Sequence, residues 1–403
     1  MNWQEIFATR TQSMKASEIR ELLKLLDQPD IISFAGGIPD PVLFPREEFQ
    51  AAFSEILASD EADKGLQYSV SEGYHPLRVW LAKWMEDRGV PCSTDNIFIT
   101  SGSQQALDYL GKLLLSPGDT VMVEWPTYLG AIQAFRAYEP LFDQLNLNGN
   151  RSPESYINQA AVNGGQVKML YSSVDFANPT GKTLSLSERE ALLDLSNEIG
   201  APVIEDAAYQ ALRFEGEALP SVLALDVARS GDIEKTKTIY CGSFSKTLSP
   251  GLRVGWVCAA MDVINKLVLI KQASDLHSPT LNQMAVQRVV KTGFDDQIEA
   301  IKTLYQSRRD AMLEALSSHM PKDVQWTLPE GGMFVWLTLP KKIDAAKLLE
   351  KSVKEQKVAF VPGNAFHPDG TGQNTMRLNF SRPNEEQIRE GVAKLAQSIS
   401  QMA

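Results

Sequence analysis

The chain has 403 residues, 39 Lys and Arg against 50 Asp and Glu, 43% hydrophobic residues and a formal net charge of −11. At roughly 100–200 residues per domain this length suggests two or three compact units, and the apolar share is that of a chain with full-sized cores, which excludes disordered and fibrous classes. An acidic balance without a clustered run of Lys and Arg argues against nucleic acid or an anionic membrane surface as partners and leaves small molecules.

No apolar stretch reaches the roughly 18–20 residues of a bilayer span; the run at 267–270 is bracketed by Lys266 and Lys271. The N-terminus lacks the basic, apolar, small-residue order of a secretory signal. Cys92, Cys241 and Cys258 are odd in number and scattered, so neither a disulfide framework nor a CxxC zinc site is available. A reducing cytoplasm is the expected setting.

In chain order, the first thirty residues read as an amphipathic helix with Ile19, Leu22, Leu23 and Leu26 on its apolar face, stopped by Pro29. A Gly/Pro-rich stretch from Ala35 to Asp40 follows and cannot be regular structure. From about residue 95, short β-rich runs alternate with helical segments, which predicts βαβ units around a largely parallel sheet. Strands are expected over 97–100, 120–124, 167–171, 203–205, 238–241 and 254–258, with helices near 103–115, 128–137 and 187–199. The third helix is read as opening on a capping box from Ser187 to Glu190. Beyond Pro279 a long helical pattern runs through Leu304 and Met312, and 331–337 reads as a strand of a smaller α+β unit. The expected division is an N-terminal helix and arm over 1–47 that packs partly with the small unit, a large domain over 48–284, and a small α+β domain over 285–403.

Function in open α/β sheets gathers at the carboxyl ends of the strands. After 97–100 come Ser101, Gly102, Ser103 and Gln104, a small-residue turn whose free amides suit a phosphate at a helix N-terminus. After 167–171 comes Asn178-Pro179-Thr180-Gly181, a turn able to present the Asn178 amide inward. After 203–205 come Asp206 and, three residues on, Tyr209. After 238–241 come Gly242-Ser243-Phe244-Ser245-Lys246 and, seven residues beyond the lysine, Arg253. Taken singly, these are a cap, a loop, an acidic strand end and a surface lysine. Gly181-Lys182-Thr183 is no P-loop, since Phe176 stands where the leading glycine belongs. His75, His277, His319 and His367 are too dispersed for a metal site. A lysine, an aspartate, a tyrosine, an asparagine and a phosphate pocket at one sheet edge together match the needs of pyridoxal phosphate.

On these motifs the chain resembles the fold-type-I pyridoxal-phosphate aminotransferases of class I/II, from Gly36-Gly37-Ile38-Pro39 to Arg377-Leu378-Asn379-Phe380, with Ser243 to Gly255 the most specific part. The segment from Lys15 to Leu22 ahead of Ile32-Ser33-Phe34 is similar to the 2-aminoadipate and kynurenine aminotransferase-like branch. Asp175-Phe176-Ala177 departs from the proline and glutamine frequent in relatives, a change expected to alter the pocket wall rather than the cofactor contacts.

The resemblance implies an α/β fold: a large domain with a mostly parallel mixed sheet flanked by helices, plus the smaller α+β domain. It implies that Lys246 forms the Schiff base and serves as the base at Cα, that Asp206 pairs with the pyridine N–H, and that Asn178 and Tyr209 reach the ring's phenolic oxygen. Tyr128 would stack on the ring, and Ser103, Gln104, Ser243, Ser245 and Arg253 would hold the phosphate, with Ser101 and Gly102 in the same turn. Tyr68 would reach the phosphate of a neighbouring subunit, which makes a homodimer with shared sites. Arg377 and the Gly37 N–H would clamp the substrate carboxylate, and Arg20 would meet a second carboxylate or an aromatic ring. The expected activity is ping-pong transfer of an amino group from an amino acid to a 2-oxo acid, 2-oxoglutarate first. The rival readings are a pyridoxal-phosphate C–S β-lyase and a ligand-sensing regulator built on an aminotransferase-like domain.

Overall fold

The structure is a computed structural model that describes residues 1–12, 14 and 30–402. The expected helix through Leu26, and Arg20 with it, lies outside the described residues. No helix among the described residues is long and apolar enough to cross a membrane.

Chain order begins with β1 (Ile32–Ser33). The large sheet follows as β2 (Ile97–Thr100), β3 (Thr120–Val123), β4 (Leu141–Gln144), β5 (Val167–Ser172), β6 (Val203–Asp206), β7 (Thr238–Ser243) and β8 (Gly255–Cys258). Their spatial order is β2-β8-β7-β6-β5-β3-β4. Only β8 runs against its neighbours, antiparallel to both β2 and β7. Every residue of β2, β3, β6, β7 and β8 is buried, as expected of a sheet covered on both faces. The six predicted strands are present, with ends moved by a residue or two.

Two readings are corrected. The strand β4 was not expected, because Leu-Phe-Asp-Gln lies at the sheet edge with its end residues exposed and carries little apolar signal. The capping box of the helix Leu186–Ile199 is Ser185 with Glu188, two residues earlier than read. Both pairs fit Ser-x-x-Glu, but starting at Leu186 adds helical residues while satisfying the same free N–H groups.

The smaller sheet joins β9 (Gln325–Trp326), β10 (Phe334–Thr338), β12 (Val361–Pro362) and β13 (Thr375–Asn379) in the order β12-β13-β10-β9, antiparallel throughout. The short β11 (Val358–Ala359) instead pairs with β1 in parallel, tying the N-terminal arm to this unit. A core of Phe360, Leu378, Ile388 and Leu395 underlies the small sheet, while Phe98, Val121, Ile204 and Val257 belong to the core of the large one. The helix Thr280–His319 packs Met284, Val286 and Val290 with Tyr240 and Trp256 of the large sheet and Ile301, Tyr305 and Met312 into the small-sheet core, and its dihedrals break at Gly293.

Candidate active site

Consecutive residues of a strand face opposite ways, and the end of β6 uses that alternation. Glu205 turns to the helix Val222–Ser230, where its carboxylate accepts from the N–H groups of Val222 (2.9 Å) and Leu223 (3.0 Å). Asp206 turns the other way, into a cavity of about 250 Å³. Gly37, Ser103, Gln104, Tyr128, Asn178, Tyr209, Ser243, Ser245, Lys246, Arg253 and Arg377 line it too. A larger cavity of about 680 Å³ borders Trp84, Arg88 and Tyr240 but holds none of the residues that the motifs single out.

Lys246 Nζ donates to the Gly37 carbonyl at 2.7 Å and lies 5.8 Å from the Tyr209 ring centre. Burial first, then the Arg377 and Arg253 charges, lower its amine to about 8, against the pull of Asp206. Burial raises the Asp206 carboxyl, opposed by hydrogen bonds from the Tyr171 hydroxyl and the Ala208 N–H and by the Lys246 charge. A lysine poised toward its neutral form faces a carboxylate across one cavity, which suits covalent capture of a carbonyl and proton transfer.

Opposite them is an anion cradle. The helix Ser103–Leu114 begins after Gly102, which has φ +84 and provides no side-chain cap; the Gln105 N–H donates to the Gly102 carbonyl, which leaves the Ser103 and Gln104 amides for an anion. A Cβ at Gly102 would collide with the Arg253 guanidinium. Arg253 is held there by the carbonyls of Pro250 (3.3 Å) and Ser101 (3.0 Å). The Ser245 N–H donates to Ser243 Oγ at 3.1 Å, and Gln104 is fixed by donating to the Gly130 carbonyl at 2.7 Å. Helix amides, hydroxyls and one guanidinium at one end, with a lysine and an aspartate beyond, fit a phosphorylated pyridine aldehyde.

Arg377 comes from β13 and is 1% exposed. Its Nη1 donates to Asn178 Oδ1 (2.8 Å) and its Nη2 to the carbonyls of Ala35 (3.0 Å) and Gly36 (2.8 Å), while its Nε has no partner among the described residues. Phe334 and Phe366 flank the guanidinium at 4.4 and 5.1 Å. A buried cation so fixed on the cavity wall has the charge to suit a carboxylate.

Two expectations meet a different placement, while that for Tyr68 concerns a neighbouring subunit. Ser101 does not line the cavity; its hydroxyl meets Ser278 Oγ at 2.9 Å, and it contributes its carbonyl to Arg253. Tyr68 is 78% exposed and outside this chain's own cavity, edge-on to His277. Asp175-Phe176-Ala177 does not form the pocket wall: Asp175 is buried against Arg189 at 2.6 Å, and Phe176, at φ +51, packs beneath Gly331 and Gly332. Ile38, Ser173, Ala208 and Pro250 line the cavity without having been singled out. Each sits beside a motif that was, the only signal available for them.

The comparisons agree with this chemistry. The family model for aminotransferase class I and II matches residues 41–395. The chain is 43% identical to an aromatic-amino-acid aminotransferase of Thermococcus litoralis over 407 residues, 100% of this chain and 95% of the relative. It is 43% identical to a 2-aminoadipate transaminase of Thermus thermophilus over 399 residues, 99% of this chain and 98% of the relative. Among solved structures, a multiple substrate aminotransferase of Thermococcus profundus superposes with a TM-score of 0.90 at 44% identity, covering 100% and 99% of the two chains. The alpha-aminoadipate aminotransferase of Thermus thermophilus, solved with N-(5'-phosphopyridoxyl)-L-leucine, gives 0.88 at 41% identity over 100% and 99%. With nearly the whole length matched, the chain belongs to the class I and II aminotransferases and is a transaminase that works with pyridoxal phosphate.

Proposed function

We propose that this enzyme moves the amino group of a bulky 2-amino acid, aromatic or 2-aminoadipate-like, to 2-oxoglutarate in two half-reactions. The observation that carries this reading is the buried Arg377 guanidinium on the wall of the cavity that also holds Lys246 and Asp206. The names of the two 43%-identical relatives support the donor class.

Pyridoxal phosphate, when bound, supplies an aldehyde for the donor's amino group and a ring that accepts the electrons released at Cα. Lys246 would hold the cofactor through its Nζ, and the same amine would move a proton from and to the substrate Cα. Asp206 would keep a proton on the ring nitrogen. Asn178 and Tyr209 would donate to the ring's phenolic oxygen, and Tyr128 would pack on the ring. Ser103, Gln104, Ser243, Ser245, Arg253 and the amides after Gly102 would hold the phosphate. Arg377, with the Gly37 N–H, orients the substrate carboxylate and so fixes which Cα bond faces Lys246.

The same reading makes the enzyme a homodimer in which Tyr68 completes the partner's phosphate site. Its support is an exposed strip of Leu66, Tyr68 and Val70 outside the chain's own cavity. The separate cores of the two sheets support a large and a small domain, with Val286, Val290 and Ile298 packed in the large one. A reducing cytoplasm is the assigned compartment, supported by the free thiols of Cys92, Cys241 and Cys258.

A panel of amino donors with 2-oxoglutarate tests the reading. Glutamate formed with aromatic donors or 2-aminoadipate supports it. Pyruvate and ammonia released from a cysteine conjugate without any 2-oxo acid would overturn transamination in favour of β-elimination.

A further inference from the structure

Neighbouring parallel strands bring two polar side chains together beneath the cavity. In the β5–β6 register Tyr171 pairs with Ile204, and Asp206, two residues on, shares the face of Ile204. Tyr171 therefore reaches diagonally to Asp206, and its hydroxyl donates to Asp206 Oδ2 at 2.8 Å. The phenol is 0% exposed, set edge-on against Phe135 at 5.7 Å, so the ring has no room to swing away. Asp206 Oδ1 receives only a long bond, 3.3 Å, from the Ala208 N–H.

We propose that Tyr171 is a positioning residue: its hydroxyl fixes one oxygen of the Asp206 carboxylate so that the other is presented to the cofactor's ring nitrogen. The proposal rests on the role given above to Asp206. A buried carboxylate with one long hydrogen bond would favour its neutral form, and a neutral acid cannot hold a proton on the ring. Besides Tyr171, the groups facing Asp206 are Lys246 after β7, Cys241 within β7, Tyr128 ahead of the helix Leu129–Arg136, and Tyr209. Lys246 is engaged by the Gly37 carbonyl and is the reacting amine, which leaves the Tyr171 hydroxyl as the closest permanent donor to this carboxylate. Burial and the Asp206 charge hold the phenol well above its ordinary range, so it remains a donor at working pH.

The test is Tyr171→Phe in the holoenzyme. A hydrogen bond to an ionised acceptor converts to about 10- to 100-fold in rate, which is the expected fall in kcat for the best donor. KM should move by less than about threefold, because ground-state binding is untouched. The pH at which the bound cofactor's absorbance titrates should rise, since a ring nitrogen that loses its proton removes a positive charge beside the titrating group. In an Asp206→Asn background, Tyr171→Phe should change neither readout further. A merely structural Tyr171 would lower the thermal midpoint, leave the titration where it was and add its effect to that of Asp206→Asn; that result overturns the proposal. An Asp206→Asn enzyme with unchanged kcat would instead sink the role of Asp206 itself. Should Tyr171→Phe yield no folded holoenzyme, 3-fluorotyrosine at position 171 keeps ring and hydroxyl but donates more strongly. The titration should then fall, and an unshifted one overturns the proposal equally.

Discussion

Arg377 Nη1 lies 2.8 Å from Asn178 Oδ1, a buried hydrogen bond between β13 of the small sheet and the turn after β5 of the large one. The group proposed to bind the substrate carboxylate and a group proposed to bind the ring are thus one connected unit. Arg377→Ala would remove the cation and leave Asn178 Oδ1 and the carbonyls of Ala35 and Gly36 without their donor. We expect kcat/KM for amino donors to fall about 100-fold or more, as is usual when one partner of a buried charged contact is lost. Arg377→Lys should restore little of it, because an ammonium cannot reproduce the planar fork. Steady-state kinetics on variants with full cofactor absorbance make the measurement, and natural kcat/KM in Arg377→Ala would refute the assignment.

The amine of Lys246, lowered to about 8 chiefly by burial, sets a pH dependence in the cofactor-free protein. Capture of pyridoxal phosphate needs the neutral amine, so its rate should climb through about pH 8 and then level, rather than climb toward the range of an ordinary lysine near 10.4. The linked stability has the same sign. Between the folded value and the higher unfolded value the unfolded chain binds more protons, so the cofactor-free protein gains stability as pH rises through that window. Lys246→Met should flatten both profiles. Stopped-flow absorbance and thermal melts across pH 7–10 would read them, and a capture rate still rising steeply at the top of that range would contradict the account.

The strand ends were legible because each buried apolar run breaks abruptly into polar residues, and Asp206, Ser243 and Asn178 all follow such breaks. That Lys246 and Arg253 share a cavity could be read from their spacing. Arg377 could not be placed by pattern: it lies 131 residues beyond Lys246 on a different sheet, and only the family resemblance pointed to it. The Tyr171–Asp206 contact is invisible in sequence for a related reason, since it depends on the register between two parallel strands. The same limit explains Asp175, which the linear string puts beside Asn178 but the fold turns away toward Arg189.

That buried pair yields a stability prediction. Arg189 and Asp175 are 0% and 3% exposed and 2.6 Å apart, with Arg213 a longer second partner at 3.4 Å. Arg189→Met leaves the buried Asp175 carboxylate only the longer Arg213 contact and should cost about 3–5 kcal/mol of unfolding free energy. Adding Asp175→Leu should recover much of that loss, because an apolar pair of similar volume avoids the desolvation of both charges. Urea denaturation of the holoenzymes would show it. A single variant within about 0.5 kcal/mol of the parent would mean that the pair contributes nothing.

Shared active sites can be tested by complementation. Lys246→Ala and Tyr68→Ala chains should each be impaired alone. If Tyr68 serves the neighbouring subunit, a hybrid dimer carries one site with both residues intact, and random mixing should restore about a quarter of the natural activity. Unfolding and refolding an equimolar mixture, then assaying it, provides the measurement. No gain over the separate variants would place Tyr68 outside the partner's site.

The central claim is that the amine at position 246 is the group that bonds the cofactor. Borohydride reduction of the holoenzyme, followed by proteolysis and mass mapping, should place a single phosphopyridoxyl group on the peptide containing Lys246 and abolish the cofactor's titratable absorbance. A label on any other lysine, or a holoenzyme that takes up pyridoxal phosphate and yields no labelled peptide, would contradict it.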